Sequence, residues 1–360
     1  MGNFIFASMK APKTYQQQII TKKKKIYPVN EELRKYLEAN GREIKLPVSY
    51  KDLRHFKGAI PILDKKGKDT LWEAAMYPPN ELQHIHEGLK QIYSILKSGG
   101  DASVHTHLHV ERIDYCTFGN SNPFRIKIVN DFNDNYDYFY IKQADASRIY
   151  GLELEHILSP ARINYFVDDH TLVEEHIAGV PGDQFIQFYI NNKEFNKVRI
   201  AKEFVKFNER CFIRLLGDMR SYNYVFDITP DFEEVQFRIR PIDFDQQSYE
   251  GKRTLYLPQF FKENAVLVQL TLKLLTPETI RQYQKEERTL IARRSISAQY
   301  RLNHLIDVMD RDTIAPKEKV IQLRKELAEH YKDDSFHDCT SMGELVRNCL
   351  RLLTEEIQQR

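Results

Sequence analysis

The sequence predicts an α+β fold in which a small antiparallel sheet precedes a larger, mainly helical part. Residues from about 104 to 177 contain strand-like runs broken by turn residues, and the chain beyond Gly182 is dominated by helical periodicity. With 360 residues, 42% of them hydrophobic, the chain is long enough for two lobes. We therefore expect a two-lobed protein with helical extensions at its amino and carboxy termini.

Residues 1–103 are predicted to form a partly helical, lysine-rich extension. Its clearest element runs from Asn80 to Lys97, where Asn80 can cap the first turn. The apolar positions of this helix recur at helical spacing and comprise Leu82, Ile85, Leu89, Ile92 and Leu96. The basic run from Lys22 to Lys25 is expected to be a solvated surface segment.

Residues 104–177 are predicted to form the first lobe. The runs VERIDYCTF, FRIKIV and YDYFYIK indicate a three-stranded antiparallel meander. A helix from Ala144 to Leu158 follows and stops at Ser159-Pro160, and RINYF and TLVEEHI are two further strand candidates. This lobe would thus contain five strands and one helix.

Residues 178–275 are predicted to form the core of the second lobe, and residues 276–360 its helical continuation. A long helix from about Phe195 to Leu216 leads into a strand pair, YVFDI and VQFRIRPIDF. Thr276 is expected to cap a helix that has Pro277 at its first position. The stripe formed by the following residues is interpreted as internal packing, with a protein partner's interface as the alternative: Val320, Leu323, Leu327, Leu345, Val346, Cys349, Leu350 and Leu353.

Composition limits the possible functions. The 53 basic and 51 acidic side chains leave a formal charge of +2, so we expect neither nucleic acid nor membrane as a partner. Four widely spaced cysteines without a CxxC pair favour a cytoplasmic protein over a disulfide-linked one. Three alternating histidines, His105, His107 and His109, could share one strand face and bind zinc, but exposed strand histidines are more common.

Three oxygen-bearing side chains stand at spacings that suit phosphoryl transfer. Asp218 lies five residues before Asn223 in GDMRSYN, and Asp243 ends the hairpin that follows. A tight loop would let Asp218 face an acceptor while the Asn223 amide oxygen and Asp243 hold Mg²⁺, which prefers oxygen ligands. The alternative is an ordinary turn in which Asp218 and Asn223 cap backbone amides.

The segments Leu216-Gly217-Asp218, Asn223-Tyr224-Val225-Phe226 and Ile242-Asp243-Phe244-Asp245 resemble the protein-kinase-like superfamily. Their order and spacing are most similar to its aminoglycoside phosphotransferase and choline kinase branch. The resemblance implies a bilobal kinase fold, with ATP and Mg²⁺ as cofactors. It implies that Asp218 is the catalytic base, that Asn223 and Asp243 are metal ligands, and that Asp245 assists a second metal.

The same resemblance implies a nucleotide site. Lys142 would pair with the phosphates and with a glutamate of the next helix, for which Glu153 is preferred over Glu155. Gly119 and Ser121 stand where a phosphate-covering loop would lie. Backbone groups of a third segment would contact adenine, namely those of Glu175, His176 and Ile177. Lys142 alone could equally be a surface lysine whose stem lies along the sheet.

Two departures from the family pattern concern the catalytic loop. Leu216 replaces a histidine that braces the loop, which puts the loop geometry in question. Arg220 could neutralise the transferred phosphate. We therefore expect an ATP-dependent phosphotransferase acting on a hydroxyl or amine of an unidentified small-molecule acceptor, with a pseudokinase or a protein kinase as alternatives.

Overall fold

The computed structural model describes residues 24–64, 66–99, 107–117, 121–231 and 235–358. Within these ranges the chain forms two compact units. The sheet unit contains the described residues up to Ala146 together with Ile163–His176, and the helical unit contains Ser147–Arg162 and the chain from Ile177 onward. The chain thus enters the helical unit for one helix, returns to the sheet unit for one strand pair, and leaves it at His176.

The sheet unit is built on an antiparallel sheet that has seven strands in the described part of the chain. In chain order these are β1 (Gly58–Leu63), β2 (Asp69–Met76), β3 (Leu108–Cys116), β4 (Phe124–Asn130), β5 (Tyr136–Gln143), β6 (Tyr165–Asp168) and β7 (Thr171–Glu175). The spatial order is β1-β2-β3-β4-β5-β7-β6. The five predicted strands are β3 to β7.

The sheet is larger than expected because residues 58–76 add a hairpin at one edge. The sequence assigned this stretch to a partly helical extension. Pro61 weakens the strand pattern of β1, yet a proline is tolerated there because β1 is an edge strand. The alternation of β2 is also poor, since Leu71 and Met76 stay exposed. Pairing with β3 therefore defines these strands more than their own pattern does.

Helices α1 (Glu31–Ala39), α2 (Tyr50–Leu53) and α3 (Pro79–Ser98) belong to the sheet unit. Four residues of the predicted apolar stripe are buried in one core with the sheet, namely Ile85, Leu89, Ile92 and Leu96, whereas Leu82 is only half-buried. Pro79, not Asn80, starts the helix, because a proline at the first position lacks only an N–H that has no helical partner. Gly99 ends it at a left-handed φ of +64°, which glycine adopts without strain.

Lys24 corrects an expectation from the sequence. The basic run was expected to be solvated, but the Lys24 side chain is 2% exposed and its Nζ lies 3.0 Å from Oδ1 of Asp145. Lys22 and Lys23 lie outside the described residues. A buried lysine requires such a partner, since an isolated ammonium is costly to desolvate.

The helical unit contains eight described helices and one small sheet. The helices are α4 (Ala146–Leu158, which starts one residue before the unit), α5 (Gly182–Gln184), α6 (Lys197–Ile213), α7 (Ala265–Leu274), α8 (Pro277–Ser297), α9 (Gln299–Arg311), α10 (Lys317–Tyr331) and α11 (Met342–Gln358). The sheet order is β10-β9-β8, from β8 (Val180–Pro181), β9 (Tyr224–Pro230) and β10 (Val235–Pro241). The predicted α+β class is confirmed.

Local signals set several helix ends in this unit. Asn196 caps α6 by accepting hydrogen bonds from the backbone N–H groups of Val198 and Arg199. Thr276 caps α8 as predicted, with Pro277 at the first helical position. The carboxy-terminal stripe from Val320 to Leu353 is buried inside the unit, which agrees with its interpretation as packing.

The cysteines and the helices bear on the expected environment of the chain. All four cysteines are free thiols and all are buried. Across the described residues, each helix is too short or too polar to cross a membrane.

Candidate active site

The loop after α6 carries Asp218 in a left-handed backbone conformation, with φ of +57°. The N–H of Asp218 donates to the carbonyl of Leu255 at 3.1 Å, and Leu215 upstream is also left-handed, with φ of +54°. Such a conformation is strained for a residue other than glycine, asparagine or aspartate and is often found at functional sites. The surrounding hydrogen bonds thus hold Asp218 in a defined orientation.

Asn223 connects Asp218 to the hairpin. Its side-chain nitrogen donates to the Asp218 carbonyl at 2.7 Å and lies 3.5 Å from Oδ2 of the Asp218 carboxylate. Its backbone carbonyl accepts from the N–H of Ile242 at 3.0 Å. Because Ile242 immediately precedes Asp243, the structure brings together the three residues that the sequence singled out.

The hairpin achieves this by its register. Strands β9 and β10 pair antiparallel from Val235 opposite Pro230 to Pro241 opposite Tyr224. The residue before β9, Asn223, must therefore lie beside the residue after β10. A one-residue slip would move Asp243 away from the loop and turn the buried Phe237 outward.

Gln247 braces the loop where the sequence has Leu216. The buried Gln247 side chain donates from Nε2 to the carbonyl of Arg214 at 2.5 Å and to Oγ of Ser248 at 2.8 Å. Leu216 forms an isolated antiparallel bridge with Gln247. An amide from the segment after Asp245 thus fixes the backbone that leads into Asp218. Sequence reasoning missed this role, because a glutamine two residues beyond the motif carries no distinctive pattern.

The carboxylate of Asp218 is placed beside an arginine. Arg220 donates from Nε to Oδ1 of Asp218 at 2.8 Å and from Nη1 to Oε1 of Glu263 at 3.1 Å. Its guanidinium lies 5.3 Å from the ring centroid of Phe261. Burial raises the pKa of Asp218, while the hydrogen bond and charge of Arg220 act in the opposite direction.

Asp243 has an arginine partner that the sequence did not suggest. Arg148 of α4 donates from Nη2 to Oδ1 of Asp243 at 2.7 Å and from Nε to Oδ1 of Asp245 at 2.6 Å. The Arg148 side chain is 3% exposed and that of Asp245 9%, whereas that of Asp243 is 34% exposed. Asp243 is therefore the carboxylate of this pair that solvent reaches.

Lys142 and the two glutamates considered as its partner each form an ion pair with another residue. Lys142 on β5 is buried and forms an ion pair with Glu174 of β7, with Nζ 2.6 Å from Oε2. Glu153 on α4 is buried and receives two hydrogen bonds from Nη2 of Arg301, at 2.9 and 2.8 Å. The alternative, Glu155, is buried and pairs with Arg214. The structure thus supplies an acidic partner for Lys142 from a strand.

The expected adenine-contacting segment lies where the chain passes from one unit to the next. Glu175 ends β7, where its N–H donates to the carbonyl of Asn164 at 3.0 Å and its side-chain Oε1 accepts from the N–H of Asn164 at 2.8 Å. His176 lies against Tyr138 and Tyr140, and burial lowers the pKa of its imidazole. Ile177 is buried at the start of the helical unit.

The expected phosphate-covering loop is described only in part. Gly119 lies outside the described residues, and Ser121 is half-buried just before β4. Of the three histidines considered for zinc, His105 also lies outside them. His107 packs against Phe132, with ring centroids 3.8 Å apart and the ring planes tilted by 42°, and the half-exposed His109 contacts Asp131.

The donor atoms of the loop and hairpin fit a magnesium ion. In the described part of the chain no group of three or more His, Cys, Asp or Glu side chains is arranged to hold a metal. Mg²⁺ does not require one, since it commonly takes one or two protein oxygens and completes its shell with water and phosphate. The side-chain nitrogen of Asn223 donates to the Asp218 carbonyl, which leaves the amide oxygen as its candidate metal ligand. Asp243 offers a partly exposed carboxylate.

Comparisons with known proteins give limited support. No family model and no curated protein matches the sequence. Among solved structures, the chain is similar to the autoinhibited serine kinase domain of the giant muscle protein titin, with 13% identity, a TM-score of 0.27, and coverage of 68% of this chain and 92% of that one. A structure of titin kinase and its flanking domains gives 11% identity, a TM-score of 0.24, and coverage of 67% and 54%.

Both of these structures contain kinase domains. Neither is a small-molecule kinase, so the resemblance to that branch gains nothing from them. At these identities and TM-scores the likeness carries no argument of its own. The case for a function rests on the loop and the hairpin.

Proposed function

We propose that this protein is an ATP-dependent phosphotransferase that moves the γ-phosphoryl group of Mg-ATP to a hydroxyl or amine of a small-molecule acceptor. The observation that carries the proposal is the continuous connection Asp218–Asn223–Ile242–Asp243, made by two hydrogen bonds of 2.7 and 3.0 Å. This connection supports the proposal because phosphoryl transfer needs a general base, an amide oxygen and a carboxylate close to one another.

Each side chain has a task in this proposal. Asp218 accepts the proton of the acceptor group and orients it. Arg220, which bonds to Asp218, stabilises negative charge on the transferred phosphoryl group. Asn223 and Asp243 hold the metal, which when bound neutralises phosphate charge. The raised pKa of Asp218 favours this role, because a stronger base accepts a proton more readily provided that it is ionised at the working pH.

A direct test replaces the base without changing its size. Asp218→Asn should reduce ATP consumption by about 100-fold or more in the presence of an acceptor library, as loss of a general base does. Its affinity for a non-hydrolysable ATP analogue should stay within about threefold, because Asp218 is not a metal ligand. Asp227→Asn on β9 is the matched control and should retain full turnover. Equal turnover by Asp218→Asn and the wild type would overturn the proposal.

The second candidate is a pseudokinase that binds nucleotide without turnover. The pairing of Lys142 with Glu174, and of Asp243 with Arg148, favours it, because both side chains already have partners of opposite charge. Thermal denaturation with ATP and Mg²⁺ distinguishes three cases. Stabilisation with turnover supports the kinase, stabilisation without turnover across the library supports the pseudokinase, and no Mg-dependent stabilisation argues against both.

A further inference from the structure

We infer that Arg148 makes the site selective for a metal–nucleotide complex over a free divalent cation. This inference rests on the proposed function, since it concerns the carboxylate that would hold the metal. Its geometric basis is the bridging position of Arg148, whose Nη2 lies 2.7 Å from Asp243 and whose Nε lies 2.6 Å from Asp245.

The bridge assigns different roles to the two carboxylates. Asp245 is 9% exposed and bonds to a guanidinium that is 3% exposed, so it anchors Arg148 within the helical unit. Asp243 is 34% exposed and offers its surface to a ligand. Its Oδ1 accepts both from Arg148 and, at 3.0 Å, from the N–H of Asp245. The second-metal role that the family resemblance implied for Asp245 is therefore replaced by a structural one.

The consequence for cation binding follows from charge. A guanidinium bonded to one oxygen of Asp243 lies close to any cation held by the same carboxylate, and like charges at such a distance repel strongly in a partly buried site. A bare divalent cation therefore meets a carboxylate whose charge the guanidinium partly offsets. A metal carried by ATP arrives with an excess of negative phosphate charge, which the guanidinium attracts. Arg148 thus weakens the binding of a free divalent cation and favours the binding of a metal–nucleotide complex.

The geometry also explains why an arginine is suited to this role. Its planar fork bonds to two carboxylates at once and stays charged at all accessible pH values, which a lysine cannot match in shape. The carboxylates belong to the segment after β10, and the arginine belongs to the first turn of α4. Arg148 and the two carboxylates thus lie outside residues 216–223, which carry Asp218 and Asn223.

The test uses electron paramagnetic resonance to measure how tightly the full chain binds Mn²⁺. One titration uses free Mn²⁺, and a second uses Mn²⁺ together with a non-hydrolysable ATP analogue. The informative variant is the double replacement Arg148→Gln with Asp245→Asn. It removes one positive and one negative charge, so the net charge of the cluster stays the same and only the cover of Asp243 is lost. We expect it to bind free Mn²⁺ about tenfold more tightly than the wild type, with a smaller gain for the nucleotide complex. Arg238→Gln is the matched control, because Arg238 is an exposed arginine on β10.

The outcomes separate the inference from the proposed function. A double variant that binds free Mn²⁺ no more tightly than the wild type overturns the inference, provided that the wild type binds the Mn²⁺–nucleotide complex. If the wild type binds no Mn²⁺ even with nucleotide, the proposed function fails and the inference fails with it. Should circular dichroism show that the double variant is unfolded, Asp245→Asn alone decides. This variant keeps the positive charge of Arg148 beside Asp243 and removes one negative charge, so free Mn²⁺ must bind more weakly, and unchanged binding overturns the inference.

Discussion

The ion pair between Arg214 and Glu155 should be a main determinant of the stability of the helical unit. Its side chains are 2% and 3% exposed, so both charges are removed from water. Arg214 also donates from Nε to the carbonyl of Arg210 at 3.0 Å. Arg214→Met keeps much of the side-chain volume but leaves the Glu155 carboxylate buried beside a thioether. Removing one partner of a buried pair typically costs about 3–5 kcal/mol.

Thermal denaturation followed by circular dichroism measures this loss. For a protein of this size 1 kcal/mol corresponds to about 2–3 °C, so Arg214→Met should lower the midpoint by about 6–15 °C. The double variant Glu155→Leu with Arg214→Met should recover most of the loss, because replacing a whole buried pair by apolar groups is often neutral or stabilising. Arg238→Met, at an exposed position, should change stability by less than about 0.5 kcal/mol.

Two results would refute the reasoning. A loss below about 1 kcal/mol in Arg214→Met would mean that the Glu155 carboxylate is solvated or neutral after the change. A double variant less stable than the single one would mean that packing, rather than charge, determines the effect.

Two further predictions concern the catalytic loop. Gly182→Ala should destabilise the protein by about 2 kcal/mol or more and reduce turnover, because a Cβ there would lie 2.4 Å from the backbone carbonyl of Ser221. Denaturation and turnover assays measure both effects. Gly58→Ala is the control, because a Cβ at that position meets no atom within 4 Å. Arg220→Gln removes the hydrogen bond and the charge that lower the pKa of Asp218, so the pKa of Asp218 should rise further. The acid limb of the pH–rate profile should then move to higher pH. A limb that moves to lower pH would contradict the assignment.

Residues close in sequence were the most predictable part of the site. Asp218 and Asn223 are five positions apart, and a hairpin links them to Asp243. The second strand of this hairpin, β10, alternates between buried and more exposed residues. The turn and the pairing register then leave few arrangements open, so the three residues could be placed together from the sequence alone. The predicted five strands and the main helices follow from the same local periodicity.

Contacts between distant segments could not be predicted in this way. Lys142 pairs with Glu174 because β5 and β7 are neighbours, which depends on the strand order and not on the pattern of either strand. Glu153 meets Arg301, which is 148 positions away. The expected lysine–glutamate pair was inferred from the family resemblance and from spacing along the next helix. Such an inference fails to specify partners when several buried charges compete for them.

The two site carboxylates share one physical arrangement, and this arrangement decides between the candidate functions. Asp218 is bonded to Arg220 and Asp243 to Arg148, so each acidic group that would act on Mg-ATP is held by a guanidinium. In an active phosphotransferase both guanidiniums would turn toward phosphate oxygens, which offer more negative charge than one carboxylate. In a pseudokinase at least one of them would remain on its carboxylate when nucleotide binds. Arg220 is the freer of the two to move, because its side chain is 24% exposed while that of Arg148 is 3% exposed. If the protein is a phosphotransferase, its turnover would therefore depend most on whether Arg148 releases Asp243.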